Sequence, residues 1–323
     1  MLDGYLMFSK YRKICVTGGA GFIGSHLVDR LVNEGYEVLV IDNLVTGKLE
    51  NIKHNLGKKS FHFVKGDIRD YEQVRRLIKD VDVIFHQAAL TSIKMSLQRP
   101  TLIKSINVTG TLKLLEATLN SNVKRFIYAS SAAVYGDIPP PQKEDMCPQP
   151  ISPYGESKLA AENYIKEFHE KYGLETICLR YFNVYGSRQN KHSQYSGVIT
   201  KFIERLLNNK PLYIYGDGQQ TRDFISVKDV VRANMLALES GGVAGDIFNV
   251  GTGVSISINE LAKMIADLIK RDVKIIHTKP KRGDVRNSLA DITKVKKILR
   301  FHPKHSLKEE LPQLVEWHRK NRE

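Results

Sequence analysis

Short apolar runs alternate with segments of helical periodicity from residue 13 onward. The runs have the length of strands and lie at 13–18, 36–42, 61–67, 81–89, 123–131 and 174–183. Between them, the spacing of apolar residues predicts helices over 25–34, 71–79, 100–120 and 154–172. Strands that alternate with helices are typical of βαβ units, which build a parallel sheet with helices on both faces. The pattern therefore predicts an α/β protein with a doubly wound parallel (Rossmann) sheet.

The alternation breaks after Asn183 into loops rich in Gly, Asn and Gln. Short strands are predicted within 211–218, 222–227 and 245–251, and helices near 197–208 and 258–271. Ser257 and Glu260 have the spacing of a capping box before the second of these helices. Residues 222–240 look like a strand and a helix that return to the large sheet. We therefore predict two interleaved units, a Rossmann domain over 11–182 and 223–252 and a smaller α+β substrate lobe over 183–222 and 253–323.

The composition is that of a folded protein. Of 323 residues, 42% are hydrophobic and 26% are charged, and no apolar run approaches the roughly 18 residues of a membrane span. The first ten residues lack the apolar core and cleavage site of a signal peptide, so we expect a cytoplasmic protein. Cys15 and Cys178 lie in strand-like segments, which predicts buried free thiols rather than disulfides. The spacing of His and Cys fits no metal site, so we predict no structural metal.

The net charge of +14 raises the question of a nucleic-acid partner. Lys and Arg are nevertheless scattered, and they are dense only at 279–286 and 318–323. Neither segment carries a recognised nucleic-acid motif. We therefore expect a small anionic substrate, or simply a basic surface, and neither a nucleic-acid nor a membrane partner.

A glycine-rich turn stands between the first strand and the first helix. Gly18, Gly21 and Gly24 have the spacing for a sharp turn, for close approach of the backbone to a diphosphate, and for close packing of the helix on the sheet. Asp42 ends the second strand about 20 residues later, where a carboxylate accepts hydrogen bonds from a ribose diol. An acid there repels a 2′-phosphate, which favours NAD over NADP. Asp67 is a candidate to cap adenine, although Asp is also common at strand ends.

A serine, a tyrosine and a lysine are placed for proton transfer. Ser152 and Pro153 suit the N-cap and first turn of a helix, which puts Tyr154 and Lys158 one turn apart on the same face. A tyrosine with its ordinary pKa of about 10 is a poor base at neutral pH, but a nearby ammonium group and a cationic nicotinamide would lower that pKa. Ser131 ends a strand where such sheets bind ligands, and it is our candidate to hydrogen-bond the reacting oxygen. Capping of the strand end is the alternative role for Ser131.

Together these motifs resemble the extended short-chain dehydrogenase/reductase superfamily, and within it the nucleotide-sugar epimerases. The resemblance covers nearly the whole chain and is carried by TGGAGFIG, HQAA, SSAAVYGD, SPYGESK, RYFNVYG and GDGQQTRDF. It implies a catalytic set of Ser131, Tyr154 and Lys158. It implies that NAD contacts Gly18, Gly21, Phe22, Ile23, Gly24, Asp42, Asn43, Asp67, Ile68, Gln87, Ala88, Ala89, Asn107, Tyr154, Lys158 and Tyr181. It implies that a UDP-sugar contacts Ser131, Asn183, Val198, Tyr213, Arg222, Lys281, Arg282, Asp284 and Ser288.

Departures from the family pattern narrow the expected reaction. Dehydratases of this superfamily carry an Asp-Glu pair where this chain has Ala132 and Ala133, which argues against dehydration. Lys281 stands where the family has arginine and Arg282 follows it, so either cation is a candidate for the diphosphate. Ser288 stands where a bulky tyrosine excludes N-acetyl groups in related enzymes. The chain therefore looks most like the UDP-N-acetylglucosamine 4-epimerase branch.

The resemblance implies an NAD-dependent C4 epimerisation of a UDP-hexose through a 4-keto intermediate. UDP-GlcNAc and UDP-GalNAc are the expected substrates, and reaction with UDP-Glc and UDP-Gal stays open. The alternatives are a UDP-glucuronate 4-epimerase or decarboxylase, a reductase that releases NADH, and an NAD-binding regulator without catalysis. A homodimer formed by the helices after Pro100 and after Pro153 is also implied.

Overall fold

The structure is a computed structural model that describes residues 10–189, 197–280 and 283–321. Its strands are β1 (Lys13–Thr17), β2 (Glu37–Asp42), β3 (Phe61–Lys65), β4 (Val83–His86), β5 (Arg125–Ser131), β6 (Glu175–Tyr181), β7 (Asn183–Tyr185), β8 (Leu212–Tyr215), β9 (Thr221–Ser226), β10 (Asp246–Val250), β11 (Ser255–Ser257) and β12 (Ile275–Thr278). Its α-helices are α1 (Phe22–Asn33), α2 (Tyr71–Leu77), α3 (Ile93–Gln98), α4 (Pro100–Lys104), α5 (Thr111–Thr118), α6 (Pro153–Tyr172), α7 (Val198–Leu207), α8 (Val227–Glu239), α9 (Ile258–Ile269), α10 (Thr293–Leu299) and α11 (Leu307–Lys320).

Seven parallel strands form the large sheet, in the order β10-β6-β5-β4-β1-β2-β3. The strands are apolar almost throughout, as in β4, because helices cover the sheet on both faces. Helices α1 and α8 pack on one face, and α2, α5 and α6 pack on the other. The predicted doubly wound Rossmann sheet is confirmed.

Local signals set the ends of the helices that matter for the site. The Ser152 hydroxyl accepts a hydrogen bond from the Gly155 amide at 3.2 Å, Pro153 takes the first helical position, and α6 ends at Gly173 in the left-handed conformation. The predicted capping box of α9 is present. The helix predicted over 100–120 is α4 and α5, joined by the π-helical stretch Ser105–Gly110. In the described residues no helix combines the length and apolarity needed to cross a bilayer.

Within the described residues, the smaller lobe contains two short sheets and three helices. Strands β11, β9 and β7 form one sheet, and β12 pairs with β8 in the other. Helices α7, α9 and α11 bury their apolar faces in one core, which includes Phe202, Leu261 and Leu314. This lobe stands beside the carboxyl ends of the large sheet because β7 follows β6 after one residue.

Two segments lie elsewhere than the sequence indicated. The strand predicted to return to the large sheet is β9, and it pairs with β7 and β11 in the smaller lobe. The place beside β6 is instead filled by β10, with Phe248 opposite Leu179. Helix α10 lies in the part assigned to the substrate lobe, but Val295 and Leu299 are buried in the large core with Phe248. Of the segment 222–240, only α8 packs on the large sheet.

Arg125, at the start of β5, holds α8 in place. Its buried guanidinium group donates hydrogen bonds to the carbonyl oxygens of Ala237, Leu238 and Ser240 at 2.7–2.9 Å, and it also pairs with Glu175. These carbonyls end α8 and have no partner within the helix, so the cation satisfies them and interacts favourably with the helix dipole. The position of α8 on the sheet therefore depends on one buried side chain.

We expect the substitution Arg125→Met to lower the free energy of unfolding by about 2–4 kcal/mol, because it leaves buried carbonyl groups without donors. Urea unfolding followed by circular dichroism measures the change. The matched control is Arg30→Met, which removes an exposed pair with Glu34 and should cost less than about 0.5 kcal/mol. Equal effects of the two substitutions would contradict the role of Arg125.

Candidate active site

A cavity of about 1120 Å³ opens at the carboxyl ends of the parallel strands. Open α/β sheets bind their ligands at this edge. Every residue that the sequence assigned to the cofactor lines this cavity except Asn107. The glycine turn after β1, the end of β2 and the loop after β4 thus meet at one place, together with the first two turns of α6.

The glycine turn can be built only from glycine at two positions. Gly18 has a φ of 69°, and a Cβ atom there would lie 2.7 Å from the backbone of Ala88. A Cβ atom on Gly24 would collide with the carbonyl oxygen of Gly18. Gly21 is the N-cap of α1 and provides no side-chain cap, and the first turn carries no acid. The first amides of α1 therefore face the cavity, which fits the diphosphate of a dinucleotide.

The two predicted acids differ in their surroundings. Asp42 is buried, which raises its pKa, although the amides of Ala20 and Leu44 donate to its oxygens at 3.0 and 2.8 Å and offset part of the effect. Asp67 receives three hydrogen bonds from Arg69, two from the guanidinium group and one from the backbone amide, and one from Asn43, and these hold its pKa well below the usual range. Asp42 thus keeps a carboxyl group at the cavity wall, whereas the carboxylate of Asp67 supports the neighbouring side chains.

His86 is buried and connects the glycine turn to α5. Its Nδ1 lies 2.7 Å from the hydroxyl of Thr17, and its Nε2 lies 2.9 Å from the hydroxyl of Thr111. Because Thr111 donates to the carbonyl of Asn107 at 2.7 Å, we assign the proton of His86 to Nε2. Burial lowers the pKa of His86 to about 3, so the ring is neutral and joins Thr17 to Thr111 as acceptor and donor.

Asn107 lies behind the cavity and is absent from its lining, so its contact with NAD stays a prediction from the sequence. Its carboxamide exchanges two hydrogen bonds with the backbone of Leu90, both at 2.9 Å, and donates to Ser157 at 3.0 Å. Ser157 in turn donates to the carbonyl of Tyr154 at 2.7 Å. Asn107 is only 1% exposed, and both ends of its carboxamide are engaged. Its role here is to tie the loop after β4 to α6.

Ser131, Tyr154 and Lys158 meet at the end of β5. Burial raises the pKa of Tyr154, and interaction with Ser131 partly lowers it. The Ser131 hydroxyl also accepts from the amide of Ala133 at 3.2 Å, so it caps the strand end as well. The amine of Lys158 donates to the carbonyl of Ala129 at 2.7 Å, and burial lowers its pKa to about 7. In the protein alone, burial therefore sets the direction of the Tyr154 pKa, and the group that lowers it is Ser131 rather than the expected lysine.

Asn234 on α8 orients Gln87 and Tyr181, two residues that line the larger cavity. The carboxamide of Gln87 donates to the hydroxyl of Tyr181 at 3.1 Å, and this hydroxyl lies 2.8–3.0 Å from the side chain of Asn234. Asn234 is fully buried on α8. The sequence analysis missed Asn234, although a single Asn within the apolar stripe of a helix is a usable signal, because a buried amide needs partners.

A smaller cavity of about 250 Å³ adjoins the larger one. Ser131, Tyr154 and Tyr181 line both cavities, so these residues lie where the cavities adjoin. The smaller cavity is also lined by residues predicted to bind substrate or to exclude dehydration, namely Asn183, Arg222, Asp284, Ser288, Ala132 and Ala133. Arg222 donates to Asp284 at 2.5 Å, and Ser288 is 6% exposed.

Some predicted substrate residues lie apart from the cavities. Val198 begins α7 and packs against the core of the smaller lobe. Tyr213 lies on β8 under the guanidinium group of Arg205, 4.5 Å from the ring centre. Neither residue lines a cavity described above. Lys281 and Arg282 lie outside the described residues.

Other lining residues were not anticipated from the sequence. In the larger cavity they include Leu90, Ile106, Val184, Arg188 and Trp317, and in the smaller one Tyr135, Gln142 and Asn287. Tyr135 and Val184 fall inside the motifs SSAAVYGD and RYFNVYG, so their positions could have been found. Trp317 comes from the last helix, and no local pattern ties that helix to the cofactor side.

The sequence profile of the NAD-dependent epimerase/dehydratase family matches residues 14–251. The chain is 42% identical to the putative UDP-glucose 4-epimerase of Methanocaldococcus jannaschii, over 95% of this chain and 99% of that protein. It also resembles the UDP-glucose 4-epimerase of Thermotoga maritima, solved with UDP-glucose, at 41% identity and a TM-score of 0.90, over 95% of this chain and 99% of that one.

Two further solved structures are similar and differ in their ligands. The UDP-N-acetylglucosamine 4-epimerase of Methanobrevibacter ruminantium, in complex with UDP-N-acetylmuramic acid, matches with a TM-score of 0.92 at 41% identity, over 97% of this chain and all of that one. The UDP-glucuronic acid 4-epimerase of Bacillus cereus, with UDP-glucuronic acid and NAD, matches with a TM-score of 0.89 at 33% identity, over 95% of this chain and 99% of that one. The three solved structures thus share the fold, but they are named for different sugars.

We expect Gly24→Ala to weaken NAD binding at least about tenfold, because the added methyl group displaces the turn that places the α1 amides. Titration calorimetry on protein freed of NAD measures the affinity. Gly241→Ala is the matched control, since no atom lies within 4 Å of a Cβ there, and its affinity should equal that of the unsubstituted protein. Unchanged affinity in Gly24→Ala would show that the turn does not hold the cofactor.

Proposed function

Because the chain belongs to the NAD-dependent epimerase/dehydratase family, we propose that it interconverts the C4 epimers of a UDP-hexose, with UDP-GlcNAc and UDP-GalNAc as preferred substrates and UDP-Glc and UDP-Gal as further ones. The observation that carries the proposal is the position of Ser131 and Tyr154, which line both cavities. A sugar in the smaller cavity and a nicotinamide in the larger one would meet at these hydroxyl groups.

The proposed chemistry is a reversible proton transfer at the sugar C4 oxygen. Tyr154, as phenolate, takes the proton of the C4 hydroxyl group and returns it once the 4-keto sugar has turned. NAD, when bound, supplies the acceptor for the C4 hydride and its return to the opposite face. Ser131 hydrogen-bonds the same sugar oxygen, and the ammonium group of Lys158 stabilises the phenolate. Asn183 and Arg222 hold the UDP group while the sugar turns.

The charges of the smaller cavity favour epimerisation of a neutral sugar. Ala132 and Ala133 occupy the wall where a dehydratase would place an acid pair, so no acid there assists the loss of water. Among the described residues that line this cavity, Asp284 is the only acid and Arg222 the only cation, and the two are paired. A carboxylate at C6 would find no free cation in that set, which argues against the glucuronate alternatives.

Ser288 supports a sugar with a bulky 2-substituent. Its side chain is small, nearly buried and part of the wall of the smaller cavity. A tyrosine in its place would fill space that an N-acetyl group needs. The similarity to the Methanobrevibacter enzyme supports the same choice, since that protein is named for UDP-N-acetylglucosamine and binds UDP-N-acetylmuramic acid.

We further propose that the protein is a homodimer joined through α4, α5 and α6, as the family resemblance implies. In such a dimer, the helix that carries Tyr154 and Lys158 would be braced by the partner subunit. We also propose that Lys281 or Arg282 binds the diphosphate beside Arg222. The cytoplasmic location stays a prediction from the sequence.

We expect Tyr154→Phe to reduce turnover of UDP-GlcNAc by about 10²–10⁴-fold, because the substitution removes the proton acceptor and keeps the ring. NMR of the product sugars measures turnover, and calorimetry should show that NAD still binds. Tyr172→Phe, at the exposed end of the same helix, is the control and should leave turnover unchanged. A fully active Tyr154→Phe variant would refute the proton transfer.

We expect Ser288→Tyr to lower kcat/KM for UDP-GlcNAc by about 10–100-fold and to leave that for UDP-Glc within a few-fold, because only the N-acetyl group meets the new ring. Ser288→Ala should keep both activities. The same NMR assay with UDP-GlcNAc, UDP-Glc and UDP-glucuronic acid gives the preferred sugar. Equal losses with both neutral sugars would contradict the role of Ser288, and preferential turnover of UDP-glucuronic acid would overturn the proposed substrate.

A further inference from the structure

A buried ion pair between Glu162 and Arg180 lies behind the catalytic residues and has no part in the proposed proton transfer. The side chains of Glu162 and Arg180 are 2% and 3% exposed. Arg180 donates through Nε and Nη2 to the two carboxylate oxygens of Glu162, at 2.9 and 2.7 Å. Burying two charges costs free energy that apolar side chains would not, so the pair is poorly explained by stability alone.

Glu162 continues the catalytic face of α6. Tyr154, Lys158 and Glu162 follow one another at intervals of four residues, which places them on successive turns of the same face. Lys158 binds the carbonyl of Ala129, and the hydroxyl of Ser130 donates to Glu162 in a short hydrogen bond. The last residues of β5 are thus clamped to consecutive turns of α6, next to the point where Ser131 meets Tyr154.

Glu162 also provides a negative charge that acts on the Lys158 amine. The groups that interact with this amine are Glu162 from α6, the Tyr128 ring and the Ala129 carbonyl from β5, Cys178 from β6 and His86 from β4, and Tyr154 lies one helical turn earlier on α6. Burial raises the pKa of Tyr128 and of Cys178 and lowers that of His86, so these three are neutral near pH 7. The carboxylate of Glu162 therefore opposes the loss of charge that burial imposes on Lys158.

We propose that Glu162 is a positioning residue of this site, whose carboxylate keeps the Lys158 amine in its ammonium form and holds the end of β5 so that Ser131 faces Tyr154. Arg180 holds the carboxylate in place through its two hydrogen bonds. The consequence for turnover rests on the proposed function, whereas the charge of Lys158 is a property that is measured without substrate.

The test is the titration of Lys158 in Glu162→Gln. A lysine whose pKa falls loses its charge at lower pH, so we expect the amine to titrate about 1 pH unit lower than in the unsubstituted protein. NMR of protein labelled at the lysine ε-carbons follows this titration, with the Lys158 signal assigned by its absence in Lys158→Met. The high-pH limb of kcat for UDP-GlcNAc should move in the same direction, with KM unchanged.

Glu167→Gln is the matched control, because Glu167 lies on the same helix in an exposed pair with Lys171 and should not move the titration. If the unpaired Arg180 prevents Glu162→Gln from folding, the double variant Glu162→Gln/Arg180→Gln removes that charge. Its titration should still move to lower pH, since Glu162 and not Arg180 acts on Lys158.

The outcomes separate the two proposals. If Lys158 titrates at its original pH in Glu162→Gln, or in the double variant where only that one folds, the role of Glu162 is overturned. A shifted titration in a protein that epimerises no UDP-sugar supports the role of Glu162 and rejects the proposed function. A Lys158 titration at its original pH together with a kcat profile that keeps its shape while the overall rate falls would leave Glu162 as a purely structural residue.

Discussion

The buried amine of Lys158 is the constraint on which the site depends. An ammonium group withdrawn from water is stable only with close polar partners. The structure offers the carbonyl of Ala129, the ring of Tyr128 and the carboxylate of Glu162, and each comes from an element that also shapes the site. Holding this amine in place therefore fixes α6 against β5, and with it the distance between Ser131 and Tyr154.

A second set of hydrogen bonds makes the cofactor side and the catalytic helix one unit. It runs from Thr17, beside the glycine turn, through His86 and Thr111 to Asn107, and from there to the first turn of α6. Because every member is buried, loss of one would leave its neighbours without partners. This buried network thus supports the larger cavity, whereas the smaller cavity is lined in part by the smaller lobe and the segment around Asp284.

This division bears on how one fold serves several sugars. The similar solved structures share the fold, yet they are named for glucose, N-acetylglucosamine and glucuronic acid. In this chain the residues that we propose to select the sugar by its charge or size are Ala132, Ala133, Arg222 and Ser288. All four line the smaller cavity. Changes there leave the buried network untouched, so specificity can vary without loss of the catalytic geometry.

The sequence alone determined the order of strands and helices, the glycine turn and the pairing of Tyr154 with Lys158, because each is a short-range pattern set by periodicity, backbone conformation or helical spacing. All but one of the residues that it predicts to bind the cofactor line the larger cavity, since most of them follow strand ends. Tertiary structure decided the rest. Strand β9 lies in the smaller lobe because β10 occupies the place beside β6. Asn107 hydrogen-bonds to Leu90 and Ser157, and Glu162 forms an ion pair with Arg180. These choices depend on which distant segments compete for the same partner, and no local pattern records that competition.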